Sequence, residues 1–154
     1  MAIWHVADWL TKASANAFPL ALDDKRAIIC VNENNERIFP AHHSTPFLWC
    51  AYNDPGENLT LETLRCISEF GKVWKPRGLV VHCFAGRNRS TLACAWLLHT
   101  VDNMTVDDAC RIMRTCQGEN SNCGVRRELV ARVLDFTGKD FSPLIDGCKN
   151  GEYP

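Results

Sequence analysis

A chain of 154 residues with a formal net charge of −1 is the right size for one domain with an adequate core, and it carries no basic stripe to suggest nucleic acid or a membrane surface as its partner. Its longest apolar run, Leu92 to Leu98, is far too short to span a bilayer. The opening MAIWHVADW lacks a charged segment followed by an apolar core, so no signal peptide is expected.

Taken in chain order, Ile3 to Val6 and Ala27 to Val31 read as strands, with Ala13 to Leu22 a short helical connection. Glu33 to Thr45 is polar and contains Pro40, which predicts a loop, and Pro46 to Ala51 returns to strand. From Leu59 to Trp74 the positions Leu64, Ile67, Phe70 and Val73 recur every three residues, with Leu61 and Trp74 filling the same face. That spacing predicts an amphipathic helix, which Pro76 stops. Leu79, Val80 and Val81 fit a buried central strand, and Ser90 to His99, rich in Ala and Leu, the start of a buried helix. A Thr105-x-x-Asp108 capping pattern opens a helix from Val106 to Thr115. A last helix from Gly124 to about Phe136 should turn Leu129, Val130 and Val133 inward. Residues 137–154 read as an irregular, loosely packed C-terminal tail. The alternation predicts a single α/β domain over 1–154, with a mostly parallel sheet of about four to five strands and helices on both faces.

Between the predicted central strand and the helix after it lies the most informative stretch, GLVVHCFAGRNRST, Gly78 to Thr91. A cysteine and an arginine with five residues between them, set in a strand–turn–helix, make an oxyanion cradle with a nucleophile at its base. Cys83 would attack phosphorus as a thiolate, a charge favoured by the turn amides, the helix N-terminus and Arg89. Arg89 would grip two phosphate oxygens in a bidentate fork that lysine cannot reproduce. Phe84, Ala85, Gly86, Arg87 and Asn88 form the cradle; Gly86 lets the backbone approach the oxygens, and Arg87 at the rim could favour acidic or multiply phosphorylated substrates. Ser90 can hydrogen-bond the sulfur and help it leave, while His82 is expected behind the loop, fixing its shape.

These residues resemble the His-Cys-x-x-Gly-x-x-Arg-Ser/Thr signature of the cysteine-dependent protein tyrosine phosphatases, and the short length looks most like the dual-specificity branch. The resemblance extends to Met113–Leu129, to WHVADWLTKASA near the start and to Ala27–Asn32, so it covers most of residues 3–136. It implies a two-step hydrolysis of phosphotyrosine, with phosphoserine and phosphothreonine as further substrates, through a phosphocysteine at Cys83. It implies neither metal nor organic cofactor. Phosphoinositides and RNA 5′-phosphates are the alternative substrates, and a weakly active phosphate-binding module is the alternative role.

The mechanism also needs a general acid for the leaving oxygen. The family carries an Asp on a mobile loop about thirty residues before the cysteine, where this chain reads WCAYNDPGENL. Asp54 is the expected acid. Counting back from Asn58-Leu59, which resemble the family's helix entry, puts Asn53 in the usual acid register instead, with Glu57 as a reserve nearer the helix. Asn-Asp-Pro-Gly is also strong turn chemistry in its own right.

Nine cysteines form an odd count without a zinc spacing, and Cys30, Cys66, Cys94 and Cys110 fall at apolar positions. Free buried thiols in a reducing cytoplasm are expected. A glycan on the Asn88 sequon would block the phosphate cradle, which argues the same way. Cys30 and Cys50 are the nearest candidates for a thiol that resolves oxidised Cys83. Trp9, Trp49, Trp74 and Trp96 should be packed or half-buried, and His42-His43 should be a solvated pair lacking a third ligand.

Overall fold

The computed structural model describes residues 3–14, 26–31, 45–53, 56–83, 89–117 and 125–145. Five strands, β1 (Ile3–Ala7), β2 (Leu10–Ala13), β3 (Ala27–Cys30), β4 (Phe47–Trp49) and β5 (Leu79–His82), form one sheet in the order β1-β2-β5-β3-β4. Only β1 with β2 is antiparallel; β2 with β5, β5 with β3 and β3 with β4 are parallel. The described elements also include four α-helices, α1 (Leu61–Trp74), α2 (Arg89–Val101), α3 (Val106–Gln117) and α4 (Arg127–Thr137), and two short 3-10 turns, Lys75–Arg77 and Ser142–Leu144.

Strand alternation divides the sheet into two faces. Leu10, Ala27, Ile29, Leu79 and Val81 join the larger core, together with the buried residues of all four described helices. Ala13, Ile28 and Val80 form a smaller cluster on the other face, with Ile3 and Phe47 against it. The helical connection expected over Ala13–Leu22 begins inside β2, and its remainder from residue 15 lies outside the described residues, as does most of the loop expected over Glu33–Thr45. β2 itself escapes the sequence pattern because Thr11 and Lys12 are polar, yet both are fully buried. Lys12 succeeds there because its Nζ donates to Thr91 Oγ1 at 2.9 Å and lies 4.2 Å from the centre of the Trp4 ring.

Helix α1 starts where Thr60, in extended conformation, accepts a hydrogen bond from the Thr63 N–H. Its buried stripe is Leu64, Ile67, Ser68 and Gly71, so the apolar face lies one position round from the expected one and Val73 is 63 % exposed. Ser68 is tolerated inside because its hydroxyl bonds Thr100 at 2.8 Å. Helix α2 is buried from Ser90 through Leu98 and runs through the centre of the core. Helix α3 opens on the expected cap, with the Asp108 N–H donating to Thr105 Oγ1 at 3.1 Å.

The chain beyond Gly138 is packed at least as far as Ile145, against the expectation of a loose tail. Phe141 and Leu144 are fully buried, and the Phe141 ring lies 6.2 Å from Trp96 and 6.3 Å from His99. Turn-rich composition hid two core residues spaced three apart. Trp49 also departs from expectation, being 51 % exposed on edge strand β4, and Cys66 is only partly buried. No helix among the described residues is long and apolar enough to cross a membrane.

Candidate active site

Strands β2, β5 and β3 run parallel, and Ala13, His82 and Cys30 are matched in register at their carboxyl ends. Such an edge is where open parallel sheets bind ligands. Cys83 leaves the central strand at this edge, and Arg89 opens α2 on the far side of the loop. Phe84, Ala85, Gly86, Arg87, Asn88 and the expected acid Asp54 lie outside the described residues. The structure brings Cys83 and Ser90 together: the sulfur donates to Ser90 Oγ at 3.3 Å, with both residues buried.

His82 is fully buried. Burial pushes its pKa down to about 4, against a weaker opposing effect from a hydrogen bond with the Cys83 backbone. It is therefore a neutral ring at the carboxyl end of the central strand.

Arg89 is held by a reciprocal pair of contacts. The Tyr52 hydroxyl donates to the Arg89 carbonyl at 2.5 Å, and Arg89 Nη1 donates to the Tyr52 carbonyl at 3.4 Å. Burial first, and then the neighbouring Cys83, push the Tyr52 phenol well above its ordinary value, so Tyr52 stays protonated and donates. The segment that leads to Asn53 is thereby tied to the arginine that opens α2.

Asn53, at the register where the family acid would stand, serves in a turn. Its Oδ1 accepts from the Glu57 N–H at 2.8 Å, its carbonyl accepts from the Gly56 N–H at 3.0 Å, and its own N–H donates to Asn58 Oδ1 at 2.8 Å. The Glu57 side chain belongs to an exposed residue. The loop then leans on α4. Arg132 Nε donates to the Gly56 carbonyl at 3.0 Å, and its Nη2 donates to those of Glu57 at 3.0 Å and Leu59 at 3.3 Å.

The thiols around the site are poorly disposed to react. Burial, with the nearby Cys66, pushes Cys50 up to about 12, and its sulfur donates to the Thr63 carbonyl at 3.4 Å. Cys94 is pushed up by complete burial, opposed by Lys12. Among the described residues seven cysteines are free thiols, and no three His, Cys, Asp or Glu side chains cluster as metal ligands.

No family model matches the chain, and no curated protein matches it. Solved structures do. The human tyrosine phosphatase-like serine/threonine/tyrosine-interacting protein superposes with a TM-score of 0.68 at 15 % identity, covering 88 % of this chain and 95 % of that one. A mouse putative dual-specificity phosphatase complexed with zinc tungstate gives 0.68 at 20 % identity, over 88 % and 86 % of the two chains. PTPMT1 in complex with PI(5)P gives 0.67 at 21 % identity, over 87 % and 93 %. The chain has the dual-specificity phosphatase fold.

Within this fold, Cys83, Arg89, Ser90 and His82 are the residues expected from the sequence, all local to one strand–loop–helix. Sequence reasoning missed Tyr52, Arg132, Lys12 and Thr91. Tyr52 carried a weak signal, a lone phenol at the exit of a predicted strand beside the acid register. Arg132 carried none, being one of several charged residues on an amphipathic helix.

Proposed function

We propose that this protein is a cysteine-dependent phosphoric monoester hydrolase, its catalytic domain spanning 1–154, that removes phosphate from phosphotyrosine and from phosphoserine and phosphothreonine in protein substrates. The observation that carries the reading is the Cys83 sulfur 3.3 Å from Ser90 Oγ, at the carboxyl end of the central strand, with Arg89 opening the next helix. A protonated Tyr52 that donates to the Arg89 carbonyl supports it by holding the start of that helix.

In the first step the Cys83 thiolate attacks phosphorus in line with the leaving oxygen, the S–P bond forms and the P–O bond breaks. Asp54 gives its proton to the departing oxygen, and Arg89 with the loop amides from Phe84 to Asn88 holds the equatorial oxygens as charge builds on them. In the second step water attacks phosphocysteine, giving its proton to Asp54. The S–P bond breaks, and the Ser90 hydroxyl donates to the sulfur as it departs. Asn53 supports the assignment of the acid to Asp54, since its amide is committed to the turn and an amide has no proton to give at these pH values.

Phosphate release from an aryl phosphate and from a phosphotyrosine peptide, without added metal, tests the reading. Cys83→Ser should abolish both activities. Asp54→Asn should lower turnover of the peptide most, by about a hundredfold or more, because its leaving group is the poorer one. A wild type as inert as Cys83→Ser would sink the reading. PTPMT1 bound to PI(5)P has the same fold, which makes a phosphoinositide the second substrate class to assay.

A further inference from the structure

Residues 56–59, which lead into α1, are fastened to α4 by one side chain. Arg132 spends three hydrogen bonds on main-chain carbonyls of Gly56, Glu57 and Leu59, and its guanidinium also lies 5.0 Å from the centre of the Phe136 ring. Those carbonyls belong to the turn that feeds the N-terminus of α1, the positive end of a helix, where a cation is disfavoured. The contact therefore does nothing for α1 electrostatically; its effect is on the loop. A planar fork of fixed donors can hold several carbonyls at once, which a lysine ammonium on a flexible stem cannot do in the same geometry.

The backbone repeats the contact beside it. Gly56 sits at φ +79°, and a Cβ there would lie 2.6 Å from Leu129 Cδ1 and 3.4 Å from Leu129 Cα. Residue 56 thus rests directly on α4, and its positive φ favours glycine there. At its other end the same loop is tied to Arg89 through Tyr52.

We propose that Arg132 is a positioning residue for proton transfer: by holding the carbonyls of Gly56, Glu57 and Leu59 against α4 it fixes the chain that follows the proposed acid. The proposal rests on the phosphatase reading above. Arg132 acts through the loop and does not touch substrate, so its loss should matter in proportion to how much the leaving oxygen needs a proton.

The test is a series of aryl phosphates of increasing leaving-group basicity, ending in a phosphotyrosine peptide, with kcat and KM measured for wild type, Arg132→Met and Gly56→Ala. Thermal melting of each variant identifies any that fails to fold. Gly56→Ala disturbs the same seam from the loop side and stands in if Arg132→Met does not fold. The expected result is a fall in kcat of about tenfold to a hundredfold on the most basic leaving group, less than about threefold on the most acidic, and little change in KM. The dependence of kcat on leaving-group basicity then becomes steeper in both variants. An active wild type with variants that lose activity equally across the series, or not at all, overturns the proposal and leaves the phosphatase reading standing. A wild type no better than Cys83→Ser overturns both.

Discussion

His82 is a base buried where it cannot easily take a proton, and that makes the stability of the protein depend on pH. Its pKa in the folded chain is pushed down to about 4, against about 6.5 in an unfolded one. Above pH 6.5 neither state binds the proton and the folded state keeps its full stability. As the pH falls towards 4 the unfolded chain takes up a proton that the folded chain refuses, and stability declines by about 3 kcal/mol in all. Urea unfolding at pH 7 and pH 4.5 should show this loss, and His82→Asn should remove most of the difference. An equal loss in both proteins would assign the pH dependence to other groups. The candidate site also marks where sequence reading stops. Cys83 and Ser90 were legible because the loop that joins them is local, seven residues from sulfur to hydroxyl. Tyr52 is separated from Arg89 by 37 residues, Lys12 from Thr91 by 79, and Arg132 from Gly56 by 76. No periodicity records such pairs, because each is made only when distant elements pack.

At the scale of elements, the packing of α1 on α2 depends on one missing side chain. A Cβ on Gly71 would lie 2.5 Å from Leu97 Cδ2 and 3.2 Å from Val101 Cγ2. Leu97 is fully buried, so it has little room to give way. Gly71→Ala should gain about 1 kcal/mol of helix propensity and lose about 1–3 kcal/mol to overpacking. The net expectation is a modest destabilisation, read as a lower urea midpoint with an unchanged slope. A more stable variant would mean that the two helices can part without cost. The same helix shows what periodicity could and could not foretell. Its existence and its stop at Pro76 were legible from spacing, but the stripe was placed by large residues alone. Packing chose Ser68 and Gly71 instead, since a close helix crossing needs small residues and leaves Val73 to solvent. Strand β2 was invisible for a related reason. Its polar Thr11 and Lys12 break the apolar run expected of a parallel strand, and the Thr91 hydroxyl and the Trp4 ring help make Lys12 acceptable there.

For the molecule as a whole, the core is closed by the segment after α4 rather than by the helices alone. Phe141 packs on Trp96 and His99 of α2, Leu144 is fully buried, and Val125 pairs with Ile145 in a parallel bridge. Leu144→Ala should cost about 2–5 kcal/mol, the usual range for emptying such a site. A measured loss below about 1 kcal/mol would show that the segment packs without contributing to stability. The overall architecture was legible from alternating strands and helices, whereas this closing segment was not, because its two anchors are too few to make a pattern.

The strand order carries a last consequence, for how the chain is made. β2 and β3 do not touch each other; each waits for β5 to come between them. During synthesis the first half of the chain can therefore pair β1 with β2 and β3 with β4, but the two ribbons stay apart until Leu79–His82 has emerged. The joining of these ribbons is a slow, non-local event, and it is the same event that seats Cys83. A newborn chain cannot seat Cys83 at the edge of its sheet until that sheet is complete, so the thiol's place and the finished fold arrive together.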